Sequence, residues 1–193
     1  MNTFKDKVIW ITGASSGIGE SLAIEFAKRG ARLILSARRE EELNRVLNLT
    51  KLPSLDIMLL PFDLNDTSKA SGLAAQVINK FGRIDLLINN GGFSQRSEAI
   101  ETPIEIDRLL MEVNYFSYIN LSKAVLPYMK RQKNGHIVIV SSIAGKFGFY
   151  LRSSYSAAKH ALHGFFETLR LETESLGIKI LIVCPASLKT GMW

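Results

Sequence analysis

Ser142, Tyr155 and Lys159 are residues whose types and order suit chemistry on a single oxygen atom. Tyr155 and Lys159 stand four apart, so on one helix they share a face and act on one another. An isolated phenol titrates near pH ~10, and a neighbouring ammonium favours the phenolate and brings proton exchange closer to neutrality. Tyr155 then becomes usable as a general acid or base. Ser142, at the exit of the apolar run His136–Ser141, is placed to hydrogen-bond a substrate oxygen and steady charge developing there. A tyrosine and lysine at this spacing often occur by chance. Their weight comes from coincidence with the serine and with a second feature near the start of the chain.

That feature is Thr12-Gly13-Ala14-Ser15-Ser16-Gly17-Ile18-Gly19, lying between the strand-like run Val8–Thr12 and the helix-like run Glu20–Lys28. Glycines there allow a tight turn, close approach of backbone to phosphate and close packing of helix on sheet, while a helix N-terminus supplies free N–H groups and partial positive charge. Gly13, Ser15, Ser16, Gly17 and Gly19 are thus candidates to hold a dinucleotide's pyrophosphate. After a second strand-like run, Arg38 and Arg39 stand where a carboxylate would grip an unphosphorylated ribose. A guanidinium instead suits a 2′-phosphate through charge-assisted hydrogen bonds worth roughly 1.5–3 kcal/mol, which favours NADP(H) over NAD(H). A solvated helix start is the other reading of the two arginines.

Asp63, after Leu60-Pro61-Phe62, either accepts a hydrogen bond from adenine or caps a turn. Asn89-Asn90-Gly91-Gly92 either lays backbone flat against ribose or nicotinamide or forms a bare turn. Asn114, a polar residue on an apolar helix face, either supports a proton path to Lys159 or is a satisfied core amide.

The elements that must position these groups alternate along the chain. Val8–Thr12, Arg32–Ser36, Ile57–Pro61, Leu86–Asn89, His136–Ser141 and Lys179–Val183 read as strands, with helical spacing starting near Gly17, Arg39, Thr67, Pro103 and Ser154. Strands apolar at nearly every position are buried on both faces, which calls for helices on both sides of a mainly parallel sheet. The expected fold is a doubly wound α/β domain of Rossmann type spanning 1–193, with ligands beyond the carboxyl ends of its strands. Pro103–Lys130 is expected as one long helix. Its stripe of Leu109, Leu110, Val113 and Phe116, like that of Ala158, Leu162 and Phe165 on the next helix, serves either core or a subunit interface, so a homodimer or homotetramer is expected.

Composition narrows the partners. The 193 residues are 47% hydrophobic and carry a net charge of +6, but the basic residues are scattered, without the clustered pattern of nucleic-acid binding. Cys184, the only cysteine, excludes an intrachain disulfide and reads as a small buried hydrophobe. His136, His160 and His163 lack metal spacing, and the latter two are expected on a helix surface. No apolar stretch approaches the roughly 20 residues of a membrane span, and Met1–Lys7 leads straight into a strand without a signal-peptide pattern, so a cytoplasmic location is the default expectation.

Taken together, Thr12–Gly19, Asn89–Gly92, Asn114, Ser142, Tyr155-x-x-x-Lys159 and Pro185 with Thr190 resemble the short-chain dehydrogenase/reductase family over essentially the whole chain. Ile9–Gly13, Leu35–Arg39 and Asn89–Ser97 look most like its dehydrogenase/reductase member seven branch. The resemblance implies Tyr155 as acid/base, Lys159 lowering the phenol's pKa and bonding the nicotinamide ribose, Ser142 orienting a carbonyl, and Asn114 completing a proton relay. It further implies Ile18 beneath the phosphates, with Pro185 beside the nicotinamide and Thr190 at its carboxamide. The implied activity is NADP(H)-dependent hydride transfer between nicotinamide and a small-molecule carbonyl or secondary alcohol; a nucleotide-binding protein without turnover is the alternative. Two departures stand out. Ala186 replaces the family's usual glycine, and the chain stops at Trp193, before the usual substrate-covering loop and further strand, so an incomplete substrate pocket is expected.

Overall fold

The computed structural model describes residues 4–186. Its elements run β1 (Val8–Thr12), α1 (Gly17–Lys28), β2 (Arg32–Ser36), α2 (Glu40–Thr50), β3 (Ile57–Leu59), α3 (Ala70–Phe81), β4 (Leu86–Asn89), α4 (Ile104–Met111), α5 (Ser117–Gln132), β5 (Gly135–Val140), α6 (Ser153–Thr173) and β6 (Ile178–Val183). The strands form one six-stranded sheet in the order β3-β2-β1-β4-β5-β6, every pairing parallel. Chain order reverses between β1 and β4, which opens a crevice at their carboxyl ends.

The period of two in each strand sorts the core into two layers. Val8 and Trp10 of β1 and Ile34 of β2 face a layer completed by Ala74 and Val77 of α3, Val125 and Met129 of α5, and Leu162 and Phe166 of α6. Ile9 and Ile11, with Leu33 and Leu35, face the opposite layer beneath Ala23 of α1 and Leu43 and Val46 of α2. All five residues of β1 are buried. The expected cover on both faces therefore holds at the centre of the sheet, where the cleft lies. Over β5 and β6 the second face carries no helix among the described residues: His136 and Lys179 are exposed, and Leu181 is 54% exposed.

Four local expectations are corrected. The third strand ends at Leu59 rather than Pro61, although Leu60 N–H still bonds Leu35 O at 2.9 Å and Phe62 N–H bonds Ala37 O at 3.1 Å across the proline, which has no N–H to give. The long helix expected from Pro103 is α4 and α5 joined by a π segment, Glu112–Phe116. Its cause is Asn114, whose side-chain amide donates to Leu110 O at 3.0 Å, a carbonyl that regular helix would give to a backbone N–H.

Cys184 is exposed rather than buried, with Sγ 3.7 Å from His163 Nε2. His163, expected on the surface, is only 12% exposed; its Nε2 lies 3.2 Å from Ser141 Oγ and its Nδ1 3.2 Å from Lys146 Nζ.

Candidate active site

The glycine loop is shaped by contacts that leave no room for side chains. Gly13 has φ +63°, and a Cβ placed there would lie 2.5 Å from Gly91 Cα; a Cβ at Gly19 would lie 2.2 Å from Gly13 O. The loop is thus pressed onto the turn after β4, and two side chains clasp them together. Thr12 Oγ1 accepts from the N–H groups of Asn90 (3.0 Å) and Gly91 (3.1 Å), while Asn90 Nδ2 donates to Thr12 O (3.0 Å) and Gly13 O (3.2 Å). From α2, Arg45 donates to Ser15 O at 3.0 Å and pairs with Glu20 at 2.7 Å. This pairing holds the Glu20 carboxyl below its usual range and steadies the start of α1.

These walls enclose a cleft of about 640 Å³ at the carboxyl ends of the strands. Gly13, Ser15, Ser16, Gly17 and Ile18 line one side, Arg38, Arg39 and Asp63 one end, and Asn90 and Gly91 the floor. The cradle fits a dinucleotide on its own chemistry. Ser16, at the N-cap of α1, makes no side-chain cap bond, so first-turn N–H groups are left for an outside acceptor such as phosphate. Arg38 and Arg39 are exposed and have no ion-pair partner among the described residues, so both guanidinium groups are available. Asp63 borders the cleft while its Oδ1 accepts from Asn65 N–H at 3.0 Å, so it closes a turn as well.

Other expected residues lie elsewhere. Gly19 serves by packing beneath the loop. Asn89 is fully buried, bonding Ser122 Oγ at 3.1 Å from Nδ2, with Oδ1 left unpartnered, so its place is under the floor of the cleft. Pro185 O accepts from Ile143 N–H at 3.1 Å and fixes the turn after β5. Thr190 lies outside the described residues.

The second cluster sits where β5 ends. Ser142 caps the single turn Ile143–Gly145, its Oγ accepting from Ala144 N–H at 3.1 Å, and it lies near enough to the Tyr155 phenol to pull against the upward push of burial there. Lys159, one turn along α6, is 3% exposed and donates from Nζ to Val140 O at 2.9 Å and Tyr118 Oη at 3.4 Å. Nζ lies 5.7 Å from the centre of the Tyr155 ring. Tyr118 joins this cluster to the cleft, since its hydroxyl is 4.0 Å from where a Cβ on Gly92 of the cleft wall would stand. Ser142, Tyr155 and Lys159 thus gather where β5 ends and α6 begins, with Tyr118 between Lys159 and the cleft wall at Gly92.

The electrostatics depart from the expected pattern. Burial pushes the Tyr155 phenol up from its ordinary value, opposed by Ser142 and by the positive charge of Arg152. Burial also brings Lys159 down to about 7. Lys159 Nζ is turned onto Val140 O and Tyr118 Oη, and burial disfavours its charged form. Asn114 bonds the backbone of Phe93 and Leu110. It is fully buried, accepting from Phe93 N–H at 3.3 Å and donating to Phe93 O and Leu110 O at 3.0 Å, so it straps the segment after β4 to the π segment.

Several lining residues escape a reading of the sequence. Leu109 and Val113, assigned to core or interface by their helical stripe, face the cleft, as do Leu64 and Phe93. Tyr118 carried a signal, a phenol four residues beyond Asn114 on the same apolar face. Among the described residues there is no cluster of three or more His, Cys, Asp or Glu able to hold a metal ion, and no helix long and apolar enough to cross a membrane.

Comparison with known proteins agrees with this architecture. The family model described as short chain dehydrogenase matches residues 7–193. Dehydrogenase/reductase SDR family member 7 of Homo sapiens is 46% identical over 192 residues, covering 97% of this chain and 57% of that protein. Its Mus musculus counterpart is 49% identical, with 97% and 57% covered. The chain thus spans 57% of the length of these curated relatives. A crystal structure of a short chain dehydrogenase/reductase from Burkholderia phymatum, in complex with NAD, superposes with a TM-score of 0.93 at 28% identity, covering 100% of this chain and 69% of that one. Parallel sheet, glycine cradle and sequence likeness lead to one conclusion: the chain belongs to the short-chain dehydrogenase family of oxidoreductases, in its dehydrogenase/reductase member 7 branch.

Proposed function

We propose that this chain binds NADP(H) in the cleft and interconverts a small-molecule carbonyl compound and its secondary alcohol, with Tyr155 as general acid/base. The observation that carries the reading is the grouping of Ser142 and Tyr155 beside a buried Lys159 whose Nζ reaches Tyr118 Oη at 3.4 Å, next to Gly92 of the cleft wall. The dinucleotide supplies or accepts the hydride when bound. In reduction Tyr155 would give its proton to the substrate oxygen, and in alcohol oxidation its phenolate would take that proton back. Ser142 orients the carbonyl, and Lys159 is the buried amine next in line to exchange a proton with the phenol. Asn114 is a positioning residue through its strap on Phe93. Arg38 and Arg39 support the phosphorylated dinucleotide, because two guanidinium groups without an ion-pair partner among the described residues border the cleft. Association as a homodimer or homotetramer is part of the same proposal, motivated by exposed Phe116 and Leu171 outside the cleft.

The test is oxidation of NADPH followed by absorbance over a panel of aldehydes and ketones, beside Tyr155→Phe. Loss of roughly 10²–10⁴-fold in turnover with nearly unchanged NADPH affinity supports Tyr155 as acid/base. Full turnover in the variant sinks that role. A second reading, nucleotide binding without turnover, is favoured by the bonding of Lys159 to Val140 O rather than to the phenol. It predicts tight NADPH binding with no oxidation across the panel.

A further inference from the structure

The exposed thiol of Cys184 stands at the exit of β6, with Sγ 3.7 Å from Nε2 of His163. That imidazole is held from several sides. Its Nε2 lies 3.2 Å from Ser141 Oγ at the end of β5, and its Nδ1 lies 3.5 Å from the Glu167 carboxylate one turn along α6. Gly145 closes a further side, because a Cβ there would stand 3.1 Å from Nε2.

An imidazole that gains a proton here finds an acceptor on each nitrogen. Ser141 Oγ donates to Lys159 O at 3.5 Å, which leaves its lone pairs to accept from Nε2–H, while the Glu167 carboxylate accepts from Nδ1–H. A proton passing from Cys184 to Nε2 leaves the thiolate as a second acceptor beside that nitrogen. The charged and titratable groups facing the ring are Glu167 and His160 on α6 and Lys146 on the turn after β5, whose Nζ lies 3.2 Å from Nδ1. Lys146 opposes a charged ring, but it is exposed and its field is screened by solvent. Burial first, and then Lys146, holds the imidazole below its ordinary range, so near neutral pH the ring is free to take a proton. Thiol, base and orienting carboxylate form the arrangement in which a cysteine acts as a nucleophile.

We propose that Cys184 is a site of covalent addition for α,β-unsaturated carbonyl compounds, with His163 carrying the proton. Sγ bonds the β-carbon as the thiol proton moves to Nε2. The π pair of the carbon–carbon double bond shifts toward the carbonyl as an enolate, and the α-carbon then takes the proton back from His163. No oxidant and no leaving group enter the balance. A base that lends and returns one proton suits this addition, whereas displacement of a leaving group would strand the proton on the ring. The adduct adjoins the turn that carries Ser142, since Ser141 N–H bonds Val183 O at 2.8 Å and Ile143 N–H bonds Pro185 O at 3.1 Å, on either side of Cys184. Neither the dinucleotide nor the Tyr155 phenol takes part.

Acrolein is the probe, with the adduct fixed by borohydride and followed by intact mass and peptide mapping, and N-acetylcysteine is the reference thiol. At pH 7, where a free thiol is mostly protonated, the chain adds acrolein at Cys184 about tenfold or more faster than the reference. His163→Gln loses about tenfold at pH 7 and little at pH ~10, where an ordinary thiol is ionised without help. Glu167→Gln, at an exposed position, loses about twofold or more at pH 7 in the same manner, and it decides the matter should His163→Gln not fold. A wild-type rate equal to the reference at pH 7 overturns the proposal, as does equal labelling of Cys184→Ser. It falls also if the loss in the variant is the same at both pH values, which marks a change of access to the thiol rather than of its proton acceptor.

Discussion

Lys159 offers a prediction that needs no substrate. Its amine is buried among Val140, Tyr118 and Tyr155, and burial lowers it from 10.5 to about 7. The folded protein therefore releases this proton near pH 7, whereas the unfolded chain keeps it until about 10.5. Between those values the unfolded state binds more protons, so stability rises with pH. From pH 7 to pH 9 this single group contributes a gain of about 2 kcal/mol, a large fraction of the stability of an ordinary domain. Urea unfolding followed by circular dichroism at the two pH values measures the rise, and the same pair of measurements on Lys159→Met isolates the contribution of the amine. In the variant the gain disappears while the effects of other titrating groups remain. A wild type whose stability is flat or falls between pH 7 and pH 9, or a variant that gains as much as the wild type, refutes the placement of a desolvated amine at this position.

Other substitutions test the cleft and its supports. Arg38→Ala raises the dissociation constant for NADPH about tenfold or more while moving that for NADH less than about twofold, measured by fluorescence titration; equal changes remove the 2′-phosphate assignment. Gly19→Ala forces a methyl group to within 2.2 Å of Gly13 O, costing about 1–3 kcal/mol in a chemical melt, and a neutral result would mean that the loop stands further from α1. Asn114→Leu strands the Phe93 and Leu110 backbone groups at a cost of about 1–3 kcal/mol and speeds amide exchange at Phe93; unchanged exchange there would remove the strap.

Much of this framework is legible in the sequence. β1, β2 and β4 have the expected ends, because short apolar runs are stopped by glycine, alanine-arginine or asparagine-glycine steps that cannot continue a buried strand. The glycine cradle is legible for the same reason, since close backbone approach demands particular residues at particular places. What stayed hidden depends on contacts distant in sequence. The π segment arises where an asparagine diverts one carbonyl, a shift of phase that apolar periodicity does not register. Leu109 and Val113 form the same stripe whether they face core or cleft. The direction of the Lys159 amine, set by Val140 O and Tyr118, and the hydrogen bonds of Arg152 to Ser94 and Gln95 each require the fold before they can be seen.

The Thr12–Asn90 clasp has a consequence for how a ligand is received. It fastens the loop from β1 to the turn from β4, on the two sides of the point where the chain order of the sheet reverses. The backbone that meets a phosphate is consequently preorganised by bonds already made, so little conformational freedom remains to be lost on association. Affinity then depends on interactions with the incoming anion rather than on a rearrangement of its receptor, and capture proceeds without a slow isomerisation step.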